Sequence, residues 1–209
     1  VAVLSRANHC DSEASAEAER VLASCGQPCI GVHVRIVDEA GRDVEAGEIG
    51  EIIVQSRRTM VGYWHKPEET RGAIRDGWLH TGDLGSYDER GFIYIADRKT
   101  DMIITGGENV YPKEVENVLY RHPAVQEVAV IGIPDPYWVE SVHALVVLKE
   151  KAQAREEDII GFCREQIAHY KAPQSVEFVG SLPKNPQGKI LKREVRKWYR
   201  QGADDHDHR

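Results

Sequence analysis

Asp97-Arg98-Lys99-Thr100-Asp101-Met102-Ile103-Ile104-Thr105-Gly106-Gly107-Glu108-Asn109-Val110-Tyr111-Pro112 separates two kinds of sequence in this chain. Upstream the pattern is strand-like. Val32, Val34 and Ile36 alternate with His33, Arg35 and Val37, and Asp38-Glu39-Ala40-Gly41 makes a turn. Glu48-Ile49-Gly50-Glu51-Ile52-Ile53-Val54 is rich in β-branched residues and reads as the next strand. Gly77-Trp78-Leu79-His80 and Gly91-Phe92-Ile93-Tyr94-Ile95 read as shorter strands beside a turn at Asp88-Glu89-Arg90-Gly91. This half is expected to be a small antiparallel β unit. Downstream, strands and helices alternate. Met102-Ile103-Ile104 is a short strand, and Pro112 opens a helix whose buried face carries Val115, Val118 and Leu119. Residues 128–133, 142–148 and 176–179 read as strands, and 156–168 as a helix with Ile159, Ile160, Cys163 and Ile167 as its apolar stripe. A last helix is expected over 190–199. The fold class is therefore α+β, with a boundary at 97–100 and domains over 1–97 and 98–209.

Residues 1–27 have no sustained period and read as an irregular lead-in with a short helix over 14–22. The opening is abrupt, as if the sequence began inside a larger domain. The chain has 209 residues, 41% hydrophobic and 29% charged, a balance that suits a globular structure with a real core. A net charge of −7 argues against a nucleic-acid partner, which needs a basic face. No apolar run reaches membrane-spanning length, and no basic-then-apolar leader opens the chain. Cys10, Cys25, Cys29 and Cys163 show no repeated CxxC pairing, so a reduced, cytoplasmic setting is the simplest reading. His206 and His208 lie in an acidic tail, expected to be disordered rather than a metal site.

Four segments carry chemistry. In Pro183-Lys184-Asn185-Pro186-Gln187-Gly188-Lys189-Ile190, a loop of two prolines and a glycine holds out the Lys189 ammonium ahead of a helix. Such a point charge suits a carboxylate and a phosphate, although Gly-Lys before a helix is by itself an ordinary surface turn. In Gly77-Trp78-Leu79-His80-Thr81-Gly82-Asp83-Leu84, Asp83 can offer both oxygens to a vicinal diol or simply cap its own turn. In the boundary segment, Arg98 can reach a phosphate or ribose oxygen, and Gly106-Gly107 lets backbone pass close to a thin ligand. The fourth segment is Tyr170-Lys171-Ala172-Pro173.

In this order and spacing, the four segments resemble the adenylate-forming superfamily of acyl-CoA synthetases, luciferases and nonribosomal adenylation domains. Gly106-Gly107-Glu108-Asn109-Val110-Tyr111-Pro112 and Ile133-Pro134-Asp135-Pro136-Tyr137-Trp138 look most like the acyl-CoA synthetase branch. The resemblance implies a two-step ligase using ATP with Mg2+, a carboxylic acid and CoA, and a mobile C-terminal lid joined by a hinge to the β subdomain. By resemblance, Asp83 binds ribose hydroxyls, Arg98 contacts the nucleotide beside the hinge, and Lys189 bridges carboxylate and α-phosphate oxygens. Gly106, Gly107, Trp138 and Tyr170 lie where the lid meets CoA; Trp138 either stacks on a flat ligand or fills the lid's core. Lys189 is also an expected acetylation site in this family.

The departures are specific. The hinge position usually holds Asp or Lys and here holds Thr100. Val139 stands where glycine is common after the tryptophan, and is expected to crowd the neighbouring surface. Ala172 and Gln174 replace basic residues that some relatives place near CoA phosphates. The family's Ser/Thr/Gly-rich phosphate loop, adenine pocket and acyl pocket have no counterpart here. The resemblance thus implies the C-terminal part of a longer synthetase, inactive alone. Two alternatives stand beside it: an adenylation domain that loads a carrier protein, and a noncatalytic lid-like module acting with a partner. An exposed apolar face formed by Val32, Val34, Ile36, Ile52 and Val54 is expected where a missing region would pack.

Overall fold

The computed structural model describes residues 1–5 and 15–200. Ala14, at the start of the expected first helix, lies outside the described residues, as do Cys10, His206 and His208. The chain divides into two compact units, Val1–Thr100 and Asp101–Arg209.

The first unit contains β1 (Ala2–Val3), α1 (Ala16–Leu22), β2 (Gln27–Pro28), β3 (Val32–Val37), β4 (Gly50–Ser56), α2 (Pro67–Ala73), β5 (Ile74–Arg75), β6 (Trp78–Tyr87) and β7 (Ile93–Arg98). Ser15 caps α1, its hydroxyl accepting the Ala18 N–H at 3.1 Å. Strands β3 and β4 pair antiparallel from Val32↔Ser56 to Val37↔Glu51, and β4 continues onto β6. β5 and β7 both pair with β6. The apolar residues of this sheet do not form the bare face expected from the sequence. Ile36, Ile52 and Val54 are buried with Ile93, and Ala2, Val32, Val34, Val44 and Tyr87 close over them from within the unit. The sequence also points to a short strand over 77–80, whereas β6 runs unbroken to Tyr87. Helix α2 has no buried residue, so no apolar period announces it. Its readable signals are Pro67 in the first turn followed by Glu68 and Glu69.

The second unit contains β8 (Ile103–Thr105), β9 (Glu108–Val110), α3 (Pro112–Leu119), β10 (Val125–Asp135), β11 (Val139–Leu148), α4 (Glu156–Arg164), a 3-10 turn (His169–Lys171), β12 (Ser175–Phe178) and α5 (Lys192–Arg200). Its sheet has the order β10-β11-β8-β9, with β12 also on β11. The β11–β12 pair is parallel, which requires a crossover, and α4 supplies it. Both faces of β10 and β11 are covered, so these strands read as near-continuous apolar runs. On one face, Val128, Val130, Val142, Ala144 and Val146 pack with α3 and α4 through Val115, Leu119, Ile159 and Cys163. On the other, Ala129, Ile131 and Leu145 meet Leu182 and Val195. Burial pushes the Cys163 thiol up to about 11, so this cysteine is an inert part of the core. Helix α4 ends at Arg164, short of the expected 168, where Glu165 and the 3-10 turn take over. Among the described residues, no helix is long and apolar enough to cross a membrane.

One polar chain runs through this core. His143 on β11 is 6% exposed. Its Nδ1 lies 2.7 Å from Ser175 Oγ and its Nε2 3.0 Å from the Tyr199 hydroxyl, which donates at 2.5 Å to Glu177 Oε2. A carboxylate only accepts, so the Tyr199 proton points at Glu177 and the Tyr199 oxygen accepts from His143 Nε2–H. Nδ1 is then the acceptor for the Ser175 hydroxyl. Burial lowers the His143 pKa, outweighing the upward pull of Glu177 and Glu156, so the folded state holds a neutral imidazole. The depressed pKa fixes the sign: stability is full above the ordinary histidine range and declines as pH falls through about 6.5. Denaturant titrations at several pH values should show this acid limb, and a His143→Asn variant should lack its share of it. Tyr199→Phe should cost about 1–2 kcal/mol at neutral pH, by leaving the buried Nε2–H without an acceptor.

Candidate functional site

In the first unit Asp83 and Arg98 come together, whereas in the second Lys189, the Gly106–Trp138 contact and Tyr170 occupy separate places. In the first unit, the site is a β-bulge. On β6, His80 pairs with Ile53 and Leu84 with Glu51, so Thr81-Gly82-Asp83 is accommodated as extra length against β4. Gly82 has φ +72°, the left-handed conformation that such a bulge needs. Thr81 fixes the kink: its hydroxyl donates to the Ile52 carbonyl at 2.7 Å and accepts the Asp83 N–H at 3.1 Å. The Gly82 carbonyl accepts the Lys99 N–H at 2.8 Å. Asp83 is thereby aimed from within a strand rather than from a strand end.

Across the ladder, Asp83 is paired with Arg98, and Arg98 Nε lies 3.1 Å from Asp83 Oδ1. The side chains are 29% and 59% exposed, so the pair is open to a ligand. A carboxylate beside a guanidinium offers acceptors for a diol and a donor fork for an anion. Behind it lies a second charged group that the sequence analysis did not single out. Lys99 Nζ is 3.0 Å from Glu51 Oε2, and His80 Nδ1 is 3.4 Å from the same oxygen. Burial raises the Glu51 carboxyl, but Lys99 and the neighbouring His80 outweigh it and hold the pKa below the usual value. His80 Nδ1 is buried without a hydrogen-bond partner among the described residues, so its effect is one of proximity.

In the second unit, Lys189 lies in a tight hairpin ahead of α5, not in its first turn. Lys184 and Ile190 bridge antiparallel, and the Leu191 N–H donates to the Pro183 carbonyl at 2.8 Å. Asn185 organises the tip. Its Oδ1 accepts the N–H groups of Gln187 at 3.0 Å and Lys189 at 2.9 Å, and Gly188 turns the chain with φ +80°. Sequence reading passed over Asn185, although Asn-Pro is a turn signal. Lys189 is exposed, and its ammonium has no ion pair among the described residues. Its neighbours are neutralised: Lys184 by Glu127 at 2.5 Å and Lys192 by Glu116 at 2.8 Å.

Gly106 and Trp138 are brought together. The Gly106 N–H donates to the Trp138 carbonyl at 3.0 Å, and a Cβ on Gly106 would lie 2.8 Å from Trp138 Cε3. The indole therefore covers the glycine with one face and keeps 43% of its surface exposed. Gly107, with φ +86°, faces open space. Val139 corrects the sequence expectation of crowding, because it is 69% exposed and its cost lies in the backbone. At φ +73° it occupies the left-handed region, where a β-branched residue is strained. Tyr170, 46% exposed, sits in the separate 3-10 turn, with Lys171 Nζ 5.9 Å from its ring. Lys171 is in turn tied to Glu114 at 2.8 Å. Ala172 is buried in the core. Thr100 is exposed and ends the first unit, while its neighbour Asp101 is held by Arg196 at 2.8 Å.

Val139→Gly should stabilise the chain by about 1 kcal/mol, the relief of left-handed strain less the entropy a glycine adds to the unfolded state. Gly106→Ala should cost roughly 1–3 kcal/mol, because the indole must move. Denaturant midpoints measure both, and tryptophan fluorescence should change for Gly106→Ala.

Comparison with known proteins supplies the context. The model of the AMP-binding enzyme family matches residues 3–64, and that of the AMP-binding enzyme C-terminal domain matches residues 114–189. A long-chain-fatty-acid–CoA ligase of Bacillus subtilis (strain 168) is 53% identical over 158 residues, which is 76% of this chain and 28% of the relative. The fatty acid–[acyl-carrier-protein] ligase ScoC of Streptomyces coeruleorubidus is 44% identical over 84% of this chain and 34% of its own length. The crystal structure of ATP-bound MatB from Rhodopseudomonas palustris matches with a TM-score of 0.80 and 41% identity, covering 85% of this chain and 36% of that one. The chain thus spans about a third of the length of the relatives it matches. With both family models in register along it, the chain belongs to the adenylate-forming (AMP-binding) superfamily, to whose C-terminal portion it corresponds.

Proposed function

We propose that this chain is the C-terminal part of an AMP-forming acid–CoA ligase, with residues 1–97 closing the large AMP-binding domain and 98–209 forming the lid. The observation that carries the proposal is Lys189: an exposed cation without an ion pair among the described residues, on a hairpin clamped by Asn185. In the first reaction, a carboxylate oxygen attacks the α-phosphorus of ATP and pyrophosphate leaves. Negative charge on the reacting oxygens then meets the Lys189 ammonium, which extends from a backbone that Asn185 fixes before the reaction starts. In the second, the CoA thiol attacks the acyl carbon, the thioester forms and AMP leaves. Asp83 accepts the ribose hydroxyl hydrogens through the oxygen that Arg98 leaves open, and Arg98 adds a donor to the nucleotide.

Gly106, Gly107, Trp138 and Tyr170 receive CoA, a role supported by the exposed indole over a glycine that no larger residue can replace without displacing it. Thr100 takes the hinge position. Mg2+ enters with the phosphates of ATP; among the described residues there is no cluster of His, Cys, Asp or Glu to hold it. A cytoplasmic setting suits the free thiols of Cys25, Cys29 and Cys163. A carrier-protein thiol in place of CoA is the second reading, favoured by the 44% identity to a carrier-protein ligase.

The test is a chimera in which this chain replaces the matching segment of the Bacillus subtilis ligase. Lys189→Ala should slow adenylate formation roughly 10²–10³-fold, the effect of losing one preorganised donor. Thioester formation from supplied acyl-adenylate should change only a few-fold. Equal losses in both reactions would refute the role given to Lys189. Offering CoA and acyl carrier protein side by side identifies the acceptor.

A further inference from the structure

The first unit pairs its cations almost completely. Arg35 bonds Asp43, Arg42 bonds Asp38, Lys66 and Arg71 bond Glu69 and Glu68, and Arg90 bonds Glu17. Arg98 and Lys99 hold Asp83 and Glu51, Arg20 lies over the Tyr94 ring, and Arg75 donates to the Gly72 carbonyl. Among the described residues, Arg57 and Arg58 are the exceptions. They are adjacent, exposed and without a carboxylate, in a chain whose net charge is −7.

Their setting is a defined concavity. At the end of β4, Thr59 N–H donates to the Ser56 carbonyl at 3.1 Å, and Arg58 N–H donates to Ser56 Oγ at 3.2 Å. This closed turn carries both arginines into a surface hollow of about 660 Å³. Gln55, Ser56 and His33 complete its polar wall, and the fully exposed Ile30 forms an apolar one. Among the described residues, no acidic one lines it. Two guanidiniums present paired donors suited to the oxygens of a phosphate, with amide, hydroxyl and imidazole groups beside them. The hollow exceeds the size of the bare anion, and Ile30 offers contact to an attached apolar group.

We propose that this hollow is a binding site for a phosphate monoester carrying an apolar substituent. The site belongs to the first unit alone and does not depend on the ligase reading. The probes are inorganic phosphate and n-butyl phosphate, titrated into the 209-residue chain and followed by 1H–15N NMR. Both should give saturable shifts at Arg57, Arg58, Gln55 and Gly31, weakened by added salt. Butyl phosphate should bind about tenfold tighter, the effect of burying roughly half of its four-carbon chain. Arg57→Ala and Arg58→Ala should each weaken binding about tenfold, while Arg42→Ala should leave it unchanged. No saturable response at millimolar probe overturns the site, as does binding that survives both arginine substitutions. Equal affinity for the two probes overturns the part assigned to Ile30.

Discussion

Strand β11 is the constraint on which the second unit depends. It pairs with β10 along its length, with β8 at Val139↔Thr105, and with β12 from His143 to Val146. Everything of chemical interest there is attached to it by a short route. The Trp138 tip immediately precedes it, the Gly106 turn follows the β8 strand paired to it, and α5 packs on its face through Leu145 and Val195. Covering both faces removes the strand from water, so its register is set by a two-sided core and not by a single alternating pattern.

Charge placement in this unit follows a division of labour. Glu116 accepts the Val130 N–H at 2.8 Å and binds Lys192 at 2.8 Å, so one carboxylate ties α3 to β10 and to α5. Both partners are 14% exposed, a depth at which removing one would strand the other. Lys171 and Arg196 are similarly occupied with Glu114 and Asp101. The scaffold thus uses these paired cations for architecture, while the Lys189 ammonium at the hairpin tip has no ion pair among the described residues. In the first unit the corresponding economy is steric. A threonine hydroxyl and one left-handed glycine aim Asp83 from inside a continuous strand, where its neighbours are rigid.

The α+β class and most strands are legible from periodicity, because burial on one or two faces writes directly into the residue pattern. The resemblance marked Asp83, Arg98, Gly106, Trp138 and Lys189 as well. What periodicity could not reveal has physical causes. The bulge at Thr81 adds residues without changing composition, so β6 looked like a short strand ending near His80. Val32 and Ile36 promised a bare face because alternation says which residues point one way and not what covers them; Val44 and Tyr87 do so from distant positions. Asn185 acts through its side-chain oxygen on backbone N–H groups, an interaction with no repeat. The His143 chain joins residues from three elements, and sequence spacing carries no trace of it.

The parallel pairing of β11 with β12 also bears on the order in which the chain assembles. The β10–β11 hairpin needs only the turn at 136–138 to close, whereas β12 must wait for the whole α4 crossover. The Arg196–Asp101 bridge spans 95 residues of sequence, so its loop-closure entropy is met only when the rest of the unit is in place. The strands that carry Trp138 belong to the early, local part of this unit, and α5 with its preceding Lys189 hairpin to the late, non-local part. Nascent or partly unfolded chains would therefore present the tryptophan tip before the Lys189 hairpin is held, and that hairpin is the last feature to acquire its address.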